Sequence, residues 1–219
     1  MAKTICACRC ATWPTAPAWT KATLLRLLGV FIKARMIHRY DSSTYALGPA
    51  LLHMGMLYRD TFDLGSRLQP ALRSIVAQTG ETVALYVRSG DDRICLYREN
   101  TTKEVRHHVE VGTRISLKDG GSSAHVLRAF TGGTTPLARD IQEKGYAMTR
   151  SERVAEMASV AVPVFDADET FVGALVVLGL ASRHNEAAQR KAVEIARHER
   201  AQQGFRTAPP ASWTPSVTP

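Results

Sequence analysis

Some residues of this 219-residue chain are of types, and at spacings, that could do chemistry. Ser122, Ser123 and His125 lie close together and superficially suggest a hydrolase. The chain, however, has no Gly-X-Ser-X-Gly elbow, and its sequence places no acid where it would orient the histidine. We therefore predict no catalytic residue and no enzymatic activity.

The four cysteines are the next candidates, because thiolates bind metals. Cys6, Cys8 and Cys10 alternate near the start, and Cys95 stands alone. A structural zinc site usually needs two cysteine or histidine pairs, and the second pair is missing here. We predict no metal, no cofactor and no disulfide framework.

The basic residues favour a third kind of chemistry, the binding of an anionic partner. Lysine and arginine total 28 against 20 acids, which gives a net charge of +8. Residues 1–60 hold eight basic and two acidic residues, so most of the excess lies in the first quarter of the chain. This asymmetry favours double-stranded DNA as the partner, with a merely basic surface as the alternative.

The hydrophobic residues exclude some classes of protein. They make up 45% of the chain, which is enough to bury a core. The longest apolar stretch, 171–181, is about strand length, and the N-terminus has no apolar signal region. We expect a cytoplasmic protein with no membrane partner.

The first elements that would position the basic residues are a helix and a hairpin. A helical repeat of apolar residues begins after Thr20, which can cap the helix. A turn signal at 41–44 and a short strand at 45–47 follow. A helix followed directly by a two-stranded hairpin is typical of the second half of a winged helix-turn-helix. The next helical segment, 49–61, is predicted to be a linker helix.

From Phe62 the pattern indicates an α+β domain. Helices are expected from Leu64 to Gly80, from the Gly/Ser loop at 119–123 to Phe130, over 137–144 and over 185–203. Strands are expected at 82–88, 93–97, 105–111, 157–165 and 171–179. The prediction is an antiparallel sheet of five or six strands flanked by helices. The proline-rich residues 206–219 are expected to be a disordered tail.

Two stretches of this chain resemble the IclR family of bacterial transcription regulators. Residues 21–28 through 45–48 resemble that family's recognition helix and wing. Residues 79–83, 111–114, 145–146, 161–166 and 172–175 resemble its GAF-like effector-binding domain. Together these stretches cover about residues 20–205. The resemblance implies a repressor or activator that works as a homodimer or homotetramer on a palindromic operator and responds to a small organic effector.

The recognition helix and wing supply the residues that the resemblance assigns to DNA. Arg26 suits a bidentate contact to guanine and Lys21 suits a phosphate. Solvated surface charges on a basic helix are the alternative. The residues predicted to contact DNA are Lys21, Ala22, Thr23, Leu25, Arg26, Arg39, Ser43 and Thr44.

The chain also departs from the family's pattern in its first segment. Only residues 1–19 precede the remnant winged helix-turn-helix at 20–48, where the family needs two more helices, so we expect a truncated or frame-shifted start. Arg35 stands where the family usually has a glycine, at a turn where a positive φ is unfavourable for arginine. The alternative function is therefore a ligand-binding and dimerising module, residues 62–205, that has lost DNA binding.

The effector-binding residues are also carried over by motif. The resemblance implies a small organic effector, often an aromatic or short-chain acid. Val176 and Leu178 stand where many members have serine, so carboxylate binding by hydroxyl groups is expected to be reduced. The pocket is therefore expected to be more apolar, which favours an aromatic or larger hydrophobic effector. These two residues are equally compatible with a place in the core. The predicted pocket residues are His107, Ile115, Gly121, Ser122, Thr149, Met157, Ser159, Val176 and Leu178.

Overall fold

The computed structural model of this chain describes residues 8–9, 20–41, 44–60, 64–107 and 109–205. The chain divides into two compact units, Met1–Leu64 and Gly65–Pro219. In the described residues no helix is both long and apolar enough for a membrane span.

The described residues of the first unit form two α-helices and a small antiparallel sheet. Its elements are β1 (Cys8–Arg9), α1 (Lys21–Lys33), β2 (Ile37–Arg39), β3 (Thr44–Leu47) and α2 (Pro49–Asp60). The strand order is β1-β3-β2, so β3 lies between the other two strands.

The ends of α1 follow from two residues. The side chain of Thr20 accepts a hydrogen bond from the backbone N–H of Thr23, which caps the helix as the sequence predicts. Arg35 then turns the chain into β2 with a φ of 55°. The expected unfavourable conformation of this arginine is confirmed, because a side chain in the left-handed region crowds the backbone.

The described residues of the second unit form four α-helices and six strands. The helices are α3 (Leu64–Thr79), α4 (Ser122–Phe130), α5 (Pro136–Lys144) and α6 (Glu186–Gln202). The strands are β4 (Thr82–Ser89), β5 (Asp92–Glu99), β6 (Arg114–Ser116), β7 (Ala147–Arg150), β8 (Met157–Phe165) and β9 (Phe171–Leu180).

These six strands form one antiparallel sheet in the order β6-β5-β4-β9-β8-β7. Helix α4 packs on β7, β8, β9 and β4, and α6 packs on β8. Since helices flank an antiparallel sheet, the predicted α+β class is confirmed.

The core beneath α4 is built from small and aromatic side chains. Phe130, Phe165 and Phe171 form a cluster with ring centroids 5.4–5.6 Å apart. Ala84, Ala161 and other small residues of the sheet let the helix approach closely.

The strand predicted at 105–111 is wrong. Strand β5 pairs with β4 on one side and with β6 on the other, and β6 begins only after the turn at Gly112, where φ is 87°. Gly112 N–H donates to the carbonyl of Cys95, and Arg98 donates to the carbonyl of His107. Residues 105–107 and 109–111 are in no strand. These two hydrogen bonds hold the segment against β5 without a strand ladder.

Candidate functional site

A pocket opens between the sheet and the start of α4. It contains about 470 Å³ of space, part of which is open to solvent. All of the pocket residues predicted from the sequence line this space: His107, Ile115, Gly121, Ser122, Thr149, Met157, Ser159, Val176 and Leu178.

Strand register brings many of these residues together. Thr149 on β7 lies opposite Ser159 on β8, and Ser159 lies opposite Leu178 on β9. Since neighbouring residues in register point to the same face, these three side chains form one row. Val176 lies two residues before Leu178 on β9. Because side chains alternate along a strand, Val176 faces the pocket beside Leu178.

A cluster of hydroxyl groups joins this row to the helix. Ser122 Oγ lies 2.7 Å from Ser159 Oγ, and Thr149 Oγ1 lies 3.0 Å from the same atom. The backbone N–H of Ser122 donates to Thr149 Oγ1 at 3.2 Å. Gly121 is the N-cap of α4 and has no side chain to cap it, with a φ of 89°. The pocket therefore combines hydroxyl groups with the positive end of a helix, which suits an anionic or carbonyl oxygen.

Sequence reasoning missed the charged side chains of the pocket, which are Arg93, Glu152 and Arg153. Arg93 is only 2% exposed. Its Nη1 donates to the carbonyl of Gly120 at 2.8 Å, and its guanidinium lies 5.9 Å from the centre of the Tyr86 ring. Burial lowers the pKa of Arg93 below its ordinary value. The sequence did hold an indication of this burial. Arg93 and the buried Cys95 are two residues apart on β5, so their side chains lie on the same face of the sheet.

The apolar part of the pocket is also part of the core. Val176 is 1% exposed and belongs to the cluster beneath α4, and Leu178 packs against that cluster. Val176 and Leu178 therefore both line the pocket and pack in the core. With two arginines and a glutamate in its lining, the pocket is more polar than the sequence predicted.

The structure also corrects one step in the argument about hydrolase chemistry. An acid does orient the histidine, because His125 Nε2 lies 2.8 Å from Glu152 Oε1. The serine nearest the pocket bonds elsewhere, since Ser122 Oγ is paired with Ser159 Oγ. No nucleophile–base hydrogen bond joins Ser122 to His125 in the described residues, which is the contact that such catalysis needs.

Seven of the eight residues predicted to contact DNA fall into three groups. Ala22, Thr23, Leu25 and Arg26 are exposed on α1. Arg39 is exposed on β2, where its Nε donates to the carbonyl of Asp41 at 2.9 Å. Ser43 and the side chain of Lys21 lie outside the described residues.

Thr44 requires a correction. It is 7% exposed, and its N–H donates to Asp41 Oδ1 at 2.8 Å. Its carbonyl accepts from Tyr40 N–H at 2.9 Å. Because it is held inside the turn, Thr44 shapes the hairpin and does not present its side chain to a ligand.

Cys95 is buried and free, and burial raises the pKa of its thiol to about 11. A thiol held protonated in this way is a poor nucleophile and a poor metal ligand. Among the described residues, no group of three or more His, Cys, Asp or Glu side chains is placed to hold a metal ion.

Comparison with known proteins agrees with this picture. Residues 136–203 match the family model described as "Bacterial transcriptional regulator IclR C-terminal". The HTH-type transcriptional regulator BhcR of Paracoccus denitrificans is 29% identical over 192 residues, covering 76% of this chain and 68% of that protein. The HTH-type transcriptional repressor AllR of Escherichia coli K12 is 24% identical over 191 residues, covering 75% and 70%.

A solved structure shows the same fold. The crystal structure of an IclR-type regulator from Silicibacter sp. TM1040 matches this chain with a TM-score of 0.73. It is 22% identical, and the match covers 89% of this chain and 88% of that one.

Proposed function

We propose that this chain, which matches the IclR C-terminal family model over residues 136–203 and whose relatives are HTH-type transcriptional regulators, is an IclR-type regulator that binds operator DNA in response to a small organic effector. The family and these relatives are transcription regulators and not enzymes. The observation that carries the proposal is the convergence of all nine motif-matched residues on one pocket.

The first unit supports DNA binding through α1 and the hairpin after it. Arg26 is exposed on the same helix as Ala22, Thr23 and Leu25, whereas Leu28 is 3% exposed and faces inward. A recognition helix needs this division, with one face packed and one face free to enter the major groove. We propose that Arg26 reads a base, Lys21 and Arg39 contact phosphates, and Ser43 supports them at the wing.

The second unit supports effector binding through the pocket beneath α4. Its hydroxyl groups and apolar wall suit a small molecule with a polar head and an apolar body, such as a short-chain or aromatic acid. Ligand binding would act by shifting the populations of DNA-binding and non-binding arrangements.

Pairing of two chains belongs to the same proposal. A palindromic operator is bound by two recognition helices one helical turn apart. The smallest unit that could bind it is therefore a homodimer, and a homotetramer is the next larger assembly. A regulator that reaches the chromosome acts in the cytoplasm. The competing function is a ligand-binding, dimerising module without DNA binding, and exposed Leu25 favours it, because an apolar side chain reads no base edge other than the thymine methyl.

The test replaces Arg26 with glutamine in the full chain. If Arg26 pairs with guanine, R26Q weakens binding to the chain's own upstream DNA by roughly 5- to 150-fold and relaxes the preference at one base position. Arg190→Gln is the matched control, because it removes the same charge from an exposed side chain of α6 that is paired with Glu186. Equal, small effects of R26Q and R190Q in fluorescence-anisotropy titrations would contradict the assignment.

A further inference from the structure

The effector pocket is narrow, and a larger cleft lies beside it. Although about 470 Å³ of space surrounds the pocket lining, only about 40 Å³ is wide enough for a water molecule, which is room for a few waters. The cleft is lined by the edge strand β7, by α5 and by the first turns of α6, and about 630 Å³ of it is that wide. This second volume is within the range of small-molecule sites. An organic effector therefore needs space that the narrow pocket does not supply.

The two cavities are separated by the side chains that line both of them, Thr149 and Glu152. Thr149 is fixed, because its hydroxyl accepts a hydrogen bond from the backbone N–H of buried Ser122. Glu152 lies on the turn between β7 and β8, and its carboxylate lies 2.8 Å from Nε2 of His125 on α4. Glu152 is therefore the movable part of this partition.

Among the described residues, the Glu152 carboxylate has one hydrogen-bond partner, His125. The side chain of Glu152 is 38% exposed, so water competes for this contact and opening it costs little. Gly120 leaves room for the carboxylate, because a Cβ at that position would collide with it. Arg153 keeps the turn in place, since its Nη2 lies 3.0 Å from His107 Nε2. The Glu152 side chain can thus swing while the turn that carries it stays at the pocket.

The lining of the cleft sets the chemistry of the group that fits it. Its charges balance, because three acids stand against three lysine or arginine residues. Lys144 pairs with Asp140 on α5 at 2.7 Å, and Arg190 pairs with Glu186 on α6 at 2.7 Å. Leu137 adds an apolar side chain that is 52% exposed. Since the charges are balanced and largely paired, the cleft favours an uncharged, apolar group over a charged one.

We propose that the pocket and the cleft are two compartments of one effector site, and that the Glu152–His125 pair is the gate between them. With the pair open, an elongated ligand lies with its head in the pocket and an uncharged, apolar body in the cleft. Glu152 then determines the length of ligand that the site accepts. This inference rests on the proposed function, because it enlarges the site to which that function assigns the effector.

The test is a fluorescence titration of the full chain with N-phenyl-1-naphthylamine, an uncharged aromatic probe that fluoresces more strongly out of water. Glu152→Ala removes the gate and is expected to bind one probe per chain about tenfold more tightly than the natural chain, because the joined site buries more of the probe. Glu99→Ala is the matched control. Glu99 has a similar exposure, 33%, is paired with Arg73 and lines neither cavity, so we expect the affinity of the natural chain.

Two further substitutions locate the probe in the Glu152→Ala chain. Leu137→Ser removes an apolar side chain of the cleft, and Met157→Ser removes one of the pocket. Because a probe that spans the open gate touches both, each is expected to lower the affinity about threefold or more. His125→Ala removes the other half of the gate and should give the same gain as E152A, so it replaces E152A if that variant does not fold by circular dichroism.

Three results would overturn the inference: a probe affinity in E152A, or in H125A in its place, equal to that of the natural chain; an equal gain in E99A; or a gain that only one of L137S and M157S reduces. A separate titration with upstream DNA tests the proposed function. Specific DNA binding without a gain in E152A would refute the joined site alone. A gain without specific DNA binding would refute the regulator and leave the joined site standing.

Discussion

Thr149→Val is predicted to loosen the start of α4, because the Thr149 hydroxyl holds that helix to the sheet. Its Oγ1 accepts from the backbone N–H of Ser122 at 3.2 Å and lies 3.0 Å from Ser159 Oγ. Valine has nearly the same shape, so the packing of β7 is preserved while both contacts are lost.

The magnitude follows from the burial of the groups left behind. Ser122 is 1% exposed, so water does not replace the lost acceptor without rearrangement. Losing two neutral hydrogen bonds and leaving a buried N–H without an acceptor lowers the free energy of unfolding by about 2 kcal/mol. For a unit of this size, that corresponds to roughly 4–8 °C in the unfolding midpoint.

The assay is urea denaturation followed by far-ultraviolet circular dichroism, with the slope of the transition as a check that only stability has changed. Thr134→Val is the control, because Thr134 is exposed in the loop before α5. We expect it to stay within about 0.5 kcal/mol of the natural chain. If T149V and T134V unfold at the same urea concentration, the hydroxyl cluster does not anchor α4 and the reasoning is refuted.

Two further predictions concern backbone strain and pH. Arg35→Gly should stabilise the first unit by roughly 0.5–1 kcal/mol in urea denaturation, because φ at this position is 55°. Arg35→Ala removes the same charge but keeps a Cβ, so an equal gain from alanine would show that strain is not the cause. Burial holds the pKa of His184 below its ordinary value of 6.5. The unfolded chain therefore takes up a proton below about pH 6.5 that the folded chain does not, and the free energy of unfolding should fall as the pH drops further. His184→Gln should flatten that dependence between neutral pH and pH 5, and an unchanged slope would assign it to other groups.

Most of the regular elements were predictable because they depend on local patterns, whereas the short strands β6 and β7 were not predicted. The helix after Thr20 has a capping residue and an apolar repeat, and the hairpin β8–β9 shows two apolar runs joined by a polar turn. The family's motifs also identified nine residues that line the pocket, because a motif that fixes the position of a strand in the sheet also fixes which of its residues face the pocket.

The charged part of the pocket was not predictable in the same way. An arginine within a strand is usually exposed, whereas Arg93 is buried and donates to the carbonyl of Gly120, which is 27 residues away in the sequence. The His125–Glu152 pair joins residues 27 positions apart, a contact that no local spacing reveals. The burial of Thr44 was not predictable either, because it depends on the turn at Asp41 and on the position of β3 between β1 and β2.

In the proposed function, the second unit binds a small effector molecule and the first unit binds DNA. The two proposed activities depend on different residues. Arg93 and Thr149 line the effector pocket, and Arg26 lies on α1. The halves are therefore separable by mutation.

The most direct measurement is a fluorescence-anisotropy titration of the full chain against its own upstream DNA and against a scrambled duplex of equal length and composition, at several salt concentrations. The account predicts binding to the upstream DNA that is at least about 100-fold tighter than to the scrambled duplex, with affinity for both falling as salt rises. Equal affinity for the two duplexes across the salt series would contradict it, and the chain would then be a ligand-binding module without operator recognition.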